Sequence, residues 1–158
     1  MRVYFATDHG GFLLKNALTE YVRGLGYEVE DCGAHELDPD DDYTEIIARA
    51  AGALSKDIAV GKESRAIILG RSGQGEAMVA NRFSGVRCAL YYGARLEMIA
   101  QTRAHNDANA LSLGADFLSE EDAREAVRAF LETPFSGEER HARRIAQIDD
   151  ELLTAGAS

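Results

Sequence analysis

Ile67-Ile68-Leu69-Gly70-Arg71-Ser72-Gly73-Gln74-Gly75-Glu76-Ala77-Met78-Val79-Ala80-Asn81 is the stretch on which the fold turns. A β-branched apolar run gives way to three glycines spread over six residues, and then an apolar helical pattern resumes. A buried parallel strand that delivers a tight loop and a helix N-terminus reads this way. Glycines permit positive φ and let backbone N–H groups close on an oxyanion, and the helix N-terminus adds donors of its own. The spacing Gly70-x-x-Gly73-x-Gly75 is neither the dinucleotide fingerprint nor a Walker loop, which needs a Lys-Ser/Thr pair. The plainer reading is a strand-to-helix turn with no ligand, yet three glycines with Ser72 exceed what a turn needs. Glu76 sets one carboxylate at the edge of the loop.

Outward from this stretch, short β-like runs alternate with longer helical patterns. Residues 3–6 read as a strand and 11–25 as an amphipathic helix stopped by Gly26, with a second strand over 27–30. An acidic loop containing Asp38, Asp40, Asp41 and Asp42 leads into a helix over 43–60 and a strand over 66–69. After the glycine loop come a helix over 76–82, a strand over 86–91, a helix over 94–103, a strand over 110–113 and a helix over 120–132. A charged helix over 138–153 follows, with no strand after it. The class is α/β: a three-layer α/β/α sandwich with a Rossmann-like five-stranded parallel sheet and an extra C-terminal helix, in one domain over residues 1–158. Ligands bind beyond the carboxyl ends of such strands, here residues 7–11 and 70–76, with 91–93 adjoining. The last helix has no place in the sheet and is expected to cross to a partner subunit.

The chain has 158 residues, 46% apolar and 28% charged, enough for one well-packed domain. Its formal net charge of -10 argues against a general affinity for nucleic acid or an anionic membrane. A small anionic ligand stays compatible, because a local cluster of arginines can outweigh the global charge. Cys32 and Cys88 lie in apolar, strand-like surroundings and read as buried thiols in a reducing compartment. The N-terminus turns charged too soon for a signal peptide, and no apolar run approaches the ~20 residues of a membrane span. A cytoplasmic protein is expected.

Three further clusters carry chemistry. Asp8-His9-Gly10-Gly11 follows the first strand; Asp8 suits a helix cap, and His9 at a polar strand end suits ligand contact better than core packing. His105-Asn106-Asp107-Ala108-Asn109 lies between a helix and the last strand, and reads as a C-cap or as hydrogen-bonding groups near the sheet. In Glu138-Glu139-Arg140-His141-Ala142-Arg143-Arg144, Arg140 and Arg144 are four apart with His141 beside them. That spacing serves a phosphate clamp, and serves an ordinary charged helix face equally. His35 reads as a solvated loop residue.

Together these segments resemble the ribose-5-phosphate isomerase B and galactose-6-phosphate isomerase family of sugar-phosphate isomerases over nearly the whole chain. The resemblance rests on Asp8-His9-Gly10-Gly11-Phe12-x-x-Lys15, on Gly73 through Gly75 to Ala80-Asn81-Arg82 with Gly85-Val86-Arg87, on His105-Asn106-Asp107-x-Asn109 and on Arg140-His141-x-x-Arg144. It implies an aldose–ketose isomerase that works through a cis-enediolate with no metal and no cofactor. One branch of the family has a cysteine base where Gly70 stands here; this sequence resembles the branch whose base is a glutamate, at Glu76. His105 matches the residue that opens the furanose ring. The amides from Arg71 through Gly73, Gln74 and Gly75 match the enediolate hole, and Ser72 matches a hydroxyl residue near the sugar. Tyr43 matches an aromatic lining residue, with Asp8, Asn81 and Asn106 also expected at the substrate. His9, Arg140, His141 and Arg144 match phosphate contacts, the last three reaching in from the second subunit of a homodimer, or of a dimer of dimers.

Two departures affect the reactant. Asp116 stands where the family usually carries a phosphate-binding arginine, and Arg71 replaces what is usually a small residue. Thr44 also stands where a proline commonly follows the tyrosine. Pentose 5-phosphate is the default substrate. The alternatives are the same chemistry on another sugar phosphate, a free sugar or a uronate, and a non-catalytic sugar-phosphate-binding subunit.

Overall fold

The computed structural model of the chain describes residues 1–148 and 150. Strands β1 (Arg2–Thr7), β2 (Glu28–Asp31), β3 (Ser64–Gly70), β4 (Cys88–Tyr91) and β5 (Ala110–Gly114) form one parallel sheet in the order β2-β1-β3-β5-β4. The α-helices are α1 (Phe12–Gly24), α2 (Tyr43–Ala59), α3 (Gln74–Ala80), α4 (Glu97–Asn106), α5 (Glu120–Glu132) and α6 (Glu139–Ile148).

The three layers follow from the alternation of side chains along each strand. Val3, Phe5, Ile67, Leu69, Leu111 and Leu113 pack with Leu18 and Val22 of α1, Ile99 of α4 and Phe130 of α5. Tyr4, Ala6, Ala66, Ile68 and Ala110 take the other face, against Ile47 and Leu54 of α2 and Ala80 of α3. The expected α/β/α sandwich is therefore what forms. No helix among the described residues is long and apolar enough to cross a membrane.

Boundaries differ where the backbone leaves the helical region. α3 starts two residues before the expected 76, because Gly73, at φ 73°, serves as its N-cap. α4 starts at Glu97 and not at 94: Gly93 and Ala94 hold φ of 113° and 86° and keep the chain out of a helix. It then runs on through His105 to Asn106 and is closed by Asp107 in the left-handed region. A short 3₁₀ turn over His9–Gly11, capped by the Asp8 side chain, precedes α1. The end of the final helix, 151–153, lies outside the described residues. Cys32 and Cys88 are free and half-buried, not fully buried; desolvation pushes their thiols up to about 11 and about 12.

Two features of this frame position the site. β1 and β3 are neighbours, and the chain leaves them in opposite directions across the sheet, so their following loops part and open a crevice. α6 lies against α4; its buried residue is His141, whose ring stacks on His105 with centroids 4.4 Å apart.

Candidate active site

The loop after β3 is built around the Glu76 carboxylate. Glu76 is 5% exposed, in the first turn of α3, and its carboxylate folds back over the end of β3. A Cβ at Gly70 would lie 1.9 Å from Oε1, so the carboxylate occupies the space that any side chain at Gly70 would need. Burial pushes the carboxyl above the ordinary glutamate range, and the nearby Asp8 charge adds to this, against a backbone hydrogen bond that opposes it. Arg71 exerts no such pull, because its guanidinium turns away to Asp116, 3.5 Å distant.

Around this carboxylate the loop leaves donors unused. The N–H groups of Ser72, Gly73 and Gly75 donate to no acceptor among the described residues, while that of Gln74 makes a long contact of 3.4 Å to Ser72 Oγ. The Tyr43 ring covers Gly75 so closely that a Cβ there would lie 2.8 Å from its hydroxyl. Gly114, beside Gly70 across the β3–β5 pairing, leaves room for the Ser72 carbonyl, which a Cβ would meet at 2.8 Å. The outcome is a narrow cup with backbone donors on one wall, a buried carboxylate at its base and an aromatic ring beside it.

The loop after β1 supplies the next wall. Asp8 is buried, caps Gly10 N at 2.9 Å, and has a carboxyl raised chiefly by desolvation. His9 donates from Nδ1 to Asp41 Oδ1 at 2.6 Å, and its backbone N–H reaches the same oxygen at 3.1 Å. Nδ1 must be the donor because an ionised carboxylate only accepts. The ligand atoms of Asp8, His9 and Asp41 lie within 4.8 Å of one another. With the Nδ1 proton committed to Asp41, however, the trio is a hydrogen-bonded anchor for His9. The Arg71 stem lies across Gly10, where a Cβ would meet its Cγ at 2.6 Å. Asp116 N donates to the Arg71 carbonyl at 3.0 Å, joining the β3 and β5 loops. Asp8, His9, Tyr43 and residues 70–76 are thus brought together, and Asp41 joins them without having stood out in sequence.

The remaining expected site residues lie elsewhere on the chain. His105 and Asn106 end α4 just before β5, at the amino end of the sheet, and line a hollow with His141 and Arg144. The five residues of β5 separate that end from Gly114, a span of about 13 Å at ~3.3 Å per residue. His105 and Glu76 of one chain therefore lie at opposite ends of β5. Desolvation first, and then His105, Arg140 and Arg144, push the His141 imidazole below its ordinary value. Its Nε2 is buried without a hydrogen-bond partner. Arg140 is exposed and donates to Glu138 at 2.8 Å.

Asn81 has a structural task of its own. It caps the C-terminus of α3, and its amide is spent on the backbone: Nδ2 donates to Ala77 O and Cys88 O, and Oδ1 accepts from Cys88 N. It ties α3 to β4. Beside it, along the open edge of β4, runs a groove in two compartments of about 610 and 680 Å³. One compartment reaches Thr102 and Asn106, and the other reaches Gln74 and Tyr92.

A family model described as Ribose/Galactose Isomerase matches residues 3–148. The chain belongs to that family. Ribose-5-phosphate isomerase B of Mycobacterium tuberculosis is 39% identical over 145 residues, covering 92% of this chain and 86% of the relative. A putative sugar phosphate isomerase of Bacillus subtilis is 33% identical over 150 residues, 95% of this chain and 96% of its own. Among solved structures, ribose-5-phosphate isomerase B from Mycoplasma genitalium with bound ribulose-5-phosphate superposes with a TM-score of 0.88, at 30% identity and 96% coverage of both chains. The type B enzyme of Trypanosoma cruzi gives 0.87 at 35% identity, covering 99% of this chain and 98% of that one. This protein is accordingly an isomerase with the fold of that family.

Proposed function

We propose that the chain interconverts ribose 5-phosphate and ribulose 5-phosphate through a cis-enediolate, as a homodimer whose active sites are shared between subunits. The observation that carries this is the buried Glu76 carboxylate, seated on Gly70 beside unused backbone donors. Aldose–ketose isomerisation takes a proton from C2 and returns it to C1 on one face, work for a single carboxylate with a raised pKa. As the C2–H bond breaks, its electrons pass to the C1–C2 bond and charge collects on the carbonyl oxygen. Preorganised N–H donors from Ser72, Gly73 and Gly75 meet that charge, with the Ser72 hydroxyl beside them. Gln74 and Gly70 shape the same loop, and Tyr43 and Asp8 wall the sugar.

The two half-sites support a shared arrangement. A pentose phosphate needs a group to open its ring and cations for its phosphate, and within one chain His105, Asn106, Arg140, His141 and Arg144 stand at the wrong end of the sheet. The β4 groove runs between the halves, with unpaired strand edge and exposed Met78 and Tyr92 along it. A second copy docked there by a two-fold axis would carry its His105 and arginines to this chain's Glu76, and the reverse. His9 then meets the phosphate from one side and the partner's three basic residues meet it from the other.

Conversion of ribose 5-phosphate, followed with exchange of the C2 proton into solvent, tests the proposal. Turnover lost in Glu76→Gln is the expected result, and wild-type inactivity on every aldose phosphate would refute it. Asp116 favours a second reading, a free sugar or uronate, because its carboxylate stands at the mouth. A substrate panel against wild type and Asp116→Arg separates the two: a free-sugar enzyme gains phosphate activity only in the variant.

A further inference from the structure

Asp41 is, among the described residues, the only side chain hydrogen-bonded to His9. One oxygen accepts from both the ring and the backbone of His9, which fixes the ring plane as well as its distance. The other oxygen, Oδ2, is buried and has no partner. A carboxylate so placed, with its charge answered by a single imidazole, stabilises the protonated ring. Nε2 of His9 has no partner among the described residues, and the side chain is 27% exposed at the crevice.

We propose that Asp41 is a positioning residue for recognition of the substrate phosphate: it fixes the His9 ring so that Nε2 faces the crevice as this subunit's own donor. The inference rests on the sugar-phosphate reading of the site. It answers the difficulty posed by Asp116, since this side of the phosphate is met by a histidine whose charged form the half-buried Asp41 carboxylate favours. The charged groups facing His9 are Asp41 from the β2–α2 connection, Asp8 from its own loop and Arg71 from the glycine loop. Asp41 and Asp8 raise the imidazole above its ordinary value, the hydrogen bond to Asp41 contributing most, while burial and Arg71 oppose them. Arg71 is in turn paired with Asp116, which takes up part of its charge.

Asp41→Asn keeps an acceptor at Oδ1 and removes the charge, and Asp41→Ser is the second variant should Asn be poorly tolerated. Histidine NMR titration, with His9 assigned by its absence in His9→Asn, should show a lower His9 pKa in either variant. Inorganic phosphate should perturb the His9 ring in the wild type and bind more weakly at pH 7.5 in Asp41→Asn, the direction that loss of the Asp41 charge dictates. KM for ribose 5-phosphate should rise likewise, with kcat within about twofold. At pH 6 the difference should shrink, and in the His9→Asn background Asp41→Asn should add nothing. An unchanged His9 pKa, no response of His9 to phosphate, or a full effect of Asp41→Asn without His9 would overturn the assignment. The titration needs no turnover, so a protein inactive on ribose 5-phosphate that still shows the Asp41-dependent response would refute the reaction and sustain this inference.

Discussion

Glu76 and Gly70 are one device read at two positions. A glutamate in the first turn of a helix would ordinarily be acidified by the N-terminal amides, and only its burial over a residue without a side chain reverses that. Gly70→Ala is expected to drive the carboxylate out of the cup, since its Cβ would fall 1.9 Å from Oε1. Loss of kcat of about a hundredfold or more should follow, as misplacement of a reacting group costs this much. Glu76→Gln should lose about a thousandfold, the typical worth of a general base. Because only the ionised base accepts a proton, kcat should fall on acidification at a pH above that of an unperturbed carboxylate. The same raised value has a stability consequence. Ionising Glu76 costs folding energy that builds as pH rises from the unfolded-state pKa through the raised folded-state one, so Glu76→Gln should melt above wild type at neutral pH, and the gap should close in acid. In sequence, the glycines and the glutamate were legible as a tight loop with a carboxylate at its edge; Asp41 was not, because one aspartate in a run of acids carries no sign of which one turns inward.

At the scale of elements, the strands and helices were readable because apolar spacing is local, and α5 matched at both ends because Ser119 caps it. The start of α4 was not, because positive φ at Gly93 and Ala94 answers to tertiary packing. Asn81 shows the same limit for a side chain. Lying next to the glycine loop in sequence, it suggested a substrate contact, whereas three hydrogen bonds make it the tie between α3 and the edge strand. Asn81→Ala should therefore cost about 1–3 kcal/mol in urea unfolding while KM stays near wild type. Lys15 acts comparably on the connection that carries Asp41 and leads into α2 at Tyr43. It is buried and donates to Asp31 and to the Ala34 carbonyl, pinning the start of that connection. Lys15→Met takes the buried ammonium from Asp31 and frees the loop, so a lower urea midpoint together with a higher KM is expected.

At the scale of the whole molecule, the motifs were legible but their distribution was not. His105 and Glu76 are 29 positions apart in a sequence whose motifs all suggest one pocket, and only the parallel sheet shows that they lie at opposite ends of it. The stacking of His141 on His105 puts the basic helix beside the His105 end. A dimer is expected by sedimentation at assay concentrations, and the sharing of sites between its subunits is the central claim. Mixing Glu76→Gln with His105→Ala dimers, under conditions where subunits exchange, tests it most directly. If each site draws Glu76 from one chain and His105 from the other, half the reassociated dimers hold one intact site, and activity should climb from near zero to about a quarter of wild type. Exchanged, dimeric mixtures that stay as inactive as their parents would contradict the account.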